Sequence, residues 1–320
     1  MPELRAAVVG VGHLGRFHAE KYAAHPEAEL VAVVDVDRAR AEEVASELGV
    51  EAVTDYHRLY GRVDCASVAV PTDGHHRITR DLLSNGVDVL VEKPLATSVV
   101  EGRDLLECAA RERRILQVGH LERFNPALMA VADQIVAPKF VECHRLAPYG
   151  ERGTEVDVIL DLMIHDLDLL FTMVGSPVRS IEAVGVPVLT NSVDIANARL
   201  RFANGCIANV TASRVSVKRE RKLRLFQPDA YFSINFDENR VQIFRRKPAE
   251  NGEIDLDFEE LMVEDGDALR AEIDAFVIAV RSRETPPVTG WDGLRALEVA
   301  EVIRESVDTE VRAAITDPSG

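Results

Sequence analysis

Leu4–Ala24, LRAAVVGVGHLGRFHAEKYAA, is the stretch from which the fold can be read. Leu4–Val9 is an apolar, strand-like run. It leads at once into Gly10-Val11-Gly12-His13-Leu14-Gly15, and Arg16–Ala24 continues with helical character. G-x-G-x-x-G is a weak signal alone and a strong one between a strand and a helix. Gly10 permits a tight turn, Gly12 lets a pyrophosphate approach the backbone, and Gly15 lets helix pack closely on strand. The free N–H groups and positive dipole at the start of the helix favour the phosphates. His13 and Leu14 lie inside the loop and join the glycines as cofactor-binding positions. The rings of His13 and His18 otherwise read as helix-surface or packing groups.

Working outward, Leu30–Val34 reads as the next strand and ends in Asp35, twenty residues after Gly15. A carboxylate there accepts hydrogen bonds from the adenosine ribose and repels a 2′-phosphate, which favours NAD over NADP. Arg38 and Arg40 lie close enough to blunt that preference. The alternation goes on with a helix over Ala39–Leu48, strands at Ala52–Thr54 and Cys65–Val70, and a helix from His75 to Ser84. A strand at Val87–Val91, a helix over Val99–Arg111 and a strand at Ile115–Val118 complete it. Strands alternating with helices give an α/β, doubly wound parallel sheet, whose ligands lie beyond the carboxyl ends of the strands. Three loops are selected in this way: Gly10–Gly15, Pro71–His76 and Glu92–Pro94.

Composition sets the outer limits. The 320 residues suit two domains, divided here into 1–119 and 120–320. A net charge of −17 argues against nucleic acid and anionic membranes as partners, though a local basic pocket can still hold an anionic small molecule. Cys65, Cys108, Cys143 and Cys206 are scattered without C-x-x-C spacing, so they read as reduced thiols of a cytoplasmic protein and not as a zinc site or disulfide frame. No metal is expected. The N-terminus lacks a charged leader and cleavage site. The apolar segment Asp157–Val174 carries Asp161, His165, Asp166 and Asp168, which excludes it as a membrane span.

That same segment, DVILDLMIHDLDLLFTMV, reads as a core helix on which Asp161, His165 and Asp168 fall at i, i+4 and i+7. Such a stripe is either the thin wet edge of a buried helix or an acid–base pair, with Asp161 orienting His165. Asp168 is either a supporting partner of that pair or a helix-surface carboxylate, the latter being the preferred reading.

VLVEKPLA, with Glu92-Lys93-Pro94 closing a strand, resembles the signature of the glucose–fructose oxidoreductase, inositol dehydrogenase and rhizopine-catabolism (Gfo/Idh/MocA) family. Three further features match in order: the N-terminal glycine loop, the turn Pro71-Thr72-x-x-His75, and the D-x-x-x-H of Asp161 and His165. The resemblance implies a Rossmann domain followed by an α+β domain with an open, mostly antiparallel sheet that forms the interface of a homo-dimer or homo-tetramer. It also implies a cis peptide before Pro94, and cofactor contacts from Pro71, Thr72, His75, Glu92 and Lys93. Independently of family, a lysine on a strand-end loop over a nicotinamide pocket can bind a substrate oxygen and stabilise alkoxide charge.

Beyond Gly119 the pattern changes. Gly119–Pro126, GHLERFNP, resembles the family's crossing segment; Arg123 and Asn125 are either substrate contacts or structural links. Phe140–Arg145 reads as a strand, and Ala147–Asp157 as a polar loop from which Tyr149 and Arg152 could reach inward. Strand-like runs follow at Ile181–Pro187, Ile195–Phe202, Ile207–Ser213, Leu223–Gln227, Tyr231–Phe236 and Val241–Arg245, with a hairpin turn at Asn204-Gly205. Val188–Asp194 and Lys247–Glu253 read as loops, Asp267–Arg281 and Trp291–Ser306 as closing helices, and Asp308–Gly320 as a frayed tail. The basic stretch Arg214, Lys218, Arg219, Arg221, Lys222 and Arg224 is either a sheet face or a diphosphate clamp.

GHLERFNP, DLMIHDLDLL and SRVSVKRERKLRLFQPDAYFSINF together resemble the branch of the family acting on UDP-linked N-acetylhexosamines. That implies hydride transfer from a ring secondary alcohol to NAD, leaving a keto sugar. Lys93, Asp161 and His165 are then catalytic, and Lys93, Arg123, Asn125, Tyr149, Asp161 and His165 bind substrate. The alternatives are a relative acting on a free polyol, simple sugar or small carbonyl compound, and a non-catalytic dinucleotide-sensing regulator.

Overall fold

The first sheet of the computed structural model contains β1 (Leu4–Val9), β2 (Ala28–Val34), β3 (Glu51–Val53), β4 (Cys65–Val68), β5 (Asp88–Glu92) and β6 (Leu116–Gly119). The structure describes residues 3–150, 156–248 and 254–316, with side chains as far as Asp308. All six strands are parallel, in the order β3-β2-β1-β4-β5-β6. The order reverses between β1 and β4, so the crevice for a ligand opens at their carboxyl ends. The strands alternate with α1 (His13–Ala23), α2 (Arg38–Leu48), α3 (Thr72–Ser84) and α4 (Val99–Glu112). Asp37 starts α2 by accepting from the Ala39 and Arg40 N–H groups, and Ser98 starts α4 by accepting from Glu101. Each of these elements falls within three residues of its sequence-read position.

The second sheet holds β7 (Phe140–Leu146), β8 (Val178–Val186), β9 (Ile195–Phe202), β10 (Ile207–Ser213), β11 (Glu220–Gln227), β12 (Ala230–Asn235), β13 (Arg240–Pro248) and β14 (Ile254–Met262). Their order is β14-β13-β12-β11-β7-β10-β9-β8, antiparallel throughout except for the central parallel pair β7 and β10. The short helix α5 (Pro126–Met129) precedes this sheet, and α6 (Ile164–Val174) packs on β10. Alternation decides the buried face. Ala196, Ala198, Ala208 and Ala212 are all fully buried, and their small side chains admit the bulky apolar helix. On the opposite face, Phe140, Phe226, Tyr231, Phe244 and Phe258 form a row of rings across five strands, with successive centroids 4.7–5.7 Å apart.

Four expectations are corrected. The second sheet has a strand, β14, that the sequence reading left out, because the charged pattern IDLDFEELM hides its alternation. The expected loop at Lys247–Glu253 is in part the end of β13; residues 249–253 lie outside the described part. The expected tail is helical as far as Thr316, as the end of α8 (Gly290–Thr316), and residues 317–320 again lie outside. The expected helix at Asp157–Val174 begins with Ile159–Met163 wound as a π helix before α6 takes over. Asp157 anchors that start, accepting from the Ile159 and Leu160 N–H groups and pairing with Arg304 at 2.6 Å.

The division of the chain also differs from a single cut at 119/120. Met1–Leu121 and Asp267–Leu297 form one compact unit, and Glu122–Gly266 with Glu298–Gly320 the other. The physical reason is α7 (Ala268–Ser282), whose Ile273, Phe276, Val277 and Val280 are buried in one cluster with Ala6, Val8, Ala19, Tyr22 and Val33 of the first unit. Burying side chains of this size contributes about 1.5–3 kcal/mol each. Phe276→Ala is therefore expected to cost about 3–5 kcal/mol of first-unit stability, measured by urea unfolding.

Candidate active site

The first unit carries a cleft of about 990 Å³ at the carboxyl ends of β1, β2 and β4. Its floor is the glycine loop. Gly10 has φ +85°, and a Cβ there would stand 2.8 Å from the Ala69 backbone. A Cβ on Gly15 would lie 1.7 Å from the Gly10 carbonyl oxygen, so strand and helix meet backbone to backbone. A Cβ on Gly12 would meet nothing within 4 Å; the loop here faces open space, as a bound pyrophosphate needs. His13 and Leu14 line the same cleft. Asp35 is buried at its far wall, where its carboxylate accepts from the Val11 N–H at 3.0 Å and the Asp37 N–H at 2.9 Å. Arg40 reaches Asp35 at 3.3 Å. Tyr56, with Arg77 over its ring at 5.5 Å, adds a flat aromatic wall that the sequence reading missed.

Pro71 lines the cleft and immediately precedes α3, whose first residue is Thr72. His75, one turn on, is buried and joins two strand-end loops, with Nδ1 2.8 Å from the Pro94 carbonyl and Nε2 2.9 Å from the Val70 carbonyl. Burial holds its pKa below the usual histidine value against the pull of both carbonyls. The Lys93–Pro94 peptide is cis, as expected. Glu92 Oε1 accepts from His18 Nε2 at 2.9 Å, and Glu92 Oε2 accepts from the Lys93 N–H at 3.3 Å. Burial raises the Glu92 pKa, but the His18 hydrogen bond and the nearby Lys93 and His75 outweigh it and hold the carboxyl below the usual range. His18 is thus no surface residue; it is 1% exposed and supports the loop that carries Lys93. Helical periodicity could have found it, because Gly15, His18, Ala19 and Tyr22 share the buried face of α1.

In the second unit, Asp161 stands on the π turn and His165 at the start of α6, both half-buried. Asp168 is not the surface carboxylate expected: it is 1% exposed and clamped by Arg123 in a fork, Nε–Oδ2 2.7 Å and Nη2–Oδ1 2.7 Å. Arg145 of β7 makes a second buried link, to Asp166 at 2.8 Å and Glu122 at 2.7 Å. Burial opposes its charge, and the two carboxylates more than restore it, raising its pKa. Asn125 caps α5 by accepting from the Ala127 N–H at 3.0 Å. Arg123 and Asn125 therefore carry structural bonds in this unit, whatever else they touch. Tyr149 is 49% exposed, and Arg152 lies outside the described residues. The basic stretch is spread over several carboxylates. Arg224 pairs with Glu142, Arg219 and Arg221 with Asp237, and Arg214 with Asp194.

Residues 4–120 match an oxidoreductase family with an NAD-binding Rossmann fold, and residues 137–242 match the GFO/IDH/MocA C-terminal domain. UDP-N-acetylglucosamine 3-dehydrogenase from Acidithiobacillus ferrooxidans is 37% identical over 313 residues, 96% of this chain and 98% of that protein. The chain belongs to the GFO/IDH/MocA oxidoreductase family. A solved structure of that dehydrogenase superposes with a TM-score of 0.91 at 36% identity, covering 97% of this chain and 99% of the other. The scyllo-inositol 2-dehydrogenase (NAD(+)) of Bacillus subtilis is 30% identical over 319 residues, 93% of this chain and 92% of that protein.

The matched domain is an NAD-binding Rossmann fold, and the open backbone at Gly12 with Asp35 across the cleft fits NAD as the cofactor. Asp35 does two jobs, holding the loop N–H groups and engaging Arg40. Asp35→Asn keeps an acceptor oxygen for one of its two N–H partners, removes the negative charge and releases Arg40. The ratio of NADP to NAD kcat/KM is expected to rise by about tenfold, the scale of one like-charge repulsion screened by water. Initial rates with each cofactor measure it.

Proposed function

We propose that the protein oxidises a secondary alcohol on the sugar ring of a UDP-linked N-acetylhexosamine with NAD, leaving a keto sugar. One observation carries this reading: the end-to-end likeness to a UDP-N-acetylglucosamine 3-dehydrogenase, at 37% identity.

Bound NAD supplies the hydride acceptor. His165 takes the hydroxyl proton as the carbon–hydrogen bond breaks, and the carbon–oxygen bond becomes double. Lys93 donates to the oxygen and stabilises the charge it carries on the way. Asp161 holds the His165 ring and favours its protonated form. Glu92, backed by His18, fixes the backbone from which Lys93 projects. Asp168 takes no part beyond holding Arg123. The presence of Lys93, Asp161 and His165 supports an enzyme over a dinucleotide-sensing regulator.

Lys93→Met and His165→Ala should each lower kcat about 10²–10⁴-fold while leaving NAD affinity near that of the parent protein. Turnover is followed by reduced-nicotinamide absorbance, with UDP-N-acetylglucosamine, its uronic acid and free inositols compared side by side. The 30% identity to an inositol dehydrogenase makes the free polyols the second reading, and activity confined to them would replace the first.

We also infer that two copies associate through the face of the second sheet that carries the aromatic row. Val184 and Val186 at one edge of that face and Phe244 and Phe258 at the other are 38–53% exposed, apolar surface that a second copy would cover. Phe244→Asp with Phe258→Asp should shift the protein to a lower oligomeric state by light scattering. A cytoplasmic location fits the four unpaired, buried cysteines. Among the described residues no helix is long and apolar enough to cross a membrane.

A further inference from the structure

Beneath the strand-end loop that carries Lys93 lies a chamber of buried polar groups, of which the proposed chemistry uses only Glu92 and His18. α1 contributes His18 and Tyr22, β4 contributes Ser67, β5 contributes Glu92, β6 contributes Gln117 and α7 contributes Glu272. One donor direction satisfies most of it. Tyr22 O–H gives to Ser67 Oγ at 3.0 Å, Ser67 O–H to His18 Nδ1 at 3.1 Å, and His18 Nε2–H to Glu92 Oε1 at 2.9 Å. Gln117 spends its Nε2 on the Glu272 backbone carbonyl at 3.1 Å.

None of these donors is bonded to the Glu272 carboxyl. Glu272 is 0% exposed, both of its carboxyl oxygens lack a hydrogen-bond partner, and Gln117 Oε1 is a further acceptor without a donor. The Glu272 carboxyl nonetheless stands close to its neighbours: its nearest oxygen, a Glu92 oxygen and a His18 nitrogen all lie within 4.8 Å of one another. Two ionised carboxylates this close in a buried chamber repel strongly, and an unpartnered charge is costly to bury. A proton held on Glu272 removes both costs at once.

We propose that Glu272 is a positioning residue that keeps its proton at neutral pH and shares it with Glu92, so that the buried pair carries one negative charge and Glu92 stays seated on His18 and the Lys93 N–H. Burial first, and the charge on Glu92 second, push the Glu272 carboxyl well above its ordinary range. The titratable groups around the pair are His18 and Tyr22 from α1, His75 from α3, Lys93 from the loop after β5, and Cys65, beside Tyr22, from β4. Tyr22 and Cys65 are themselves pushed up by burial and stay neutral. Loss of the Glu272 proton at alkaline pH sets the two carboxylates against each other and unseats the Lys93 loop. That last consequence for turnover rests on the functional reading of Lys93; the proton itself does not.

The test uses Glu272→Gln, which imitates the protonated acid, beside Glu272→Ala. At neutral pH the wild-type protein should show the infrared carbonyl stretch of a protonated carboxyl, sensitive to deuterium exchange and missing from the Gln variant. A folded carboxyl that titrates above its unfolded value binds an extra proton in the native state, so wild-type stability falls with pH across that window. The melting-temperature gap, Glu272→Gln minus wild type, should therefore widen from about pH 4 upward. Glu272→Ala should lower kcat about ten- to hundredfold with little change in the KM for NAD, and Glu272→Gln should rescue it at neutral pH and extend activity to higher pH.

A missing carbonyl band, or a gap flat with pH, overturns the proposal whatever the turnover does. So does a stoichiometric divalent metal that Glu272→Gln removes, since a cation would then fill the place of the proton. If Glu272→Ala does not fold, the Gln variant carries the test alone. Full turnover in Lys93→Met would remove the functional reading of Lys93 and leave the infrared and melting results standing.

Discussion

The contact on which the nucleotide unit depends is the meeting of two backbones, Gly10 and Gly15. A side chain on Gly15 would overlap the Gly10 carbonyl, so α1 is drawn against β1 as closely as a polypeptide allows. That approach aims the free N–H groups of the helix at the crevice between β1 and β4. It also brings the inward face of α1 onto the neighbouring strands, and so delivers His18 to Glu92 and Ser67. The cofactor floor and the support of the Lys93 loop thus follow from one turn.

Both units match buried carboxylates to guanidinium groups, as Asp88 to Arg283 at 2.6 Å in the first, and they differ at one residue. In the second, guanidinium groups are matched by carboxylates: Arg123 by Asp168, Arg145 by Asp166 and Glu122. Such links tie α6 to β7 and to the segment before α5, and are costly to break from one side, because the surviving charge has nowhere to go. In the first, Glu92 has a matched donor and Glu272 has none. Matched charges account for the rigid placement of α6; the unmatched carboxyl is where protonation can alter the geometry.

Most of the fold was legible because its signals are local. The glycine loop, the alternation of strands and helices, and Asp35 at its spacing from Gly15 all act over a few residues. What escaped depends on packing at long range. Asp168 looks like a third member of the polar stripe until Arg123, 45 positions away, claims it. The π turn at Ile159–Met163 alters the helical register on which that stripe was drawn, and no residue type announces it. His18 was visible as part of a buried helix face, yet its partner Glu92 lies 74 residues on. Of the candidate site, the residue types were readable from sequence; the partners that hold them were not.

The return of α7 to the first unit has a consequence for how the protein is made. Its apolar face fills the core above β1 and α1, yet the second sheet is synthesised in between. A nascent chain that has just released β6 from the ribosome exposes Ala6, Val8, Tyr22 and Val33 without their cover. The nucleotide-binding half, first to be translated, is therefore completed only after most of the polypeptide has emerged, and its exposed sheet is where a chaperone would bind in the interval.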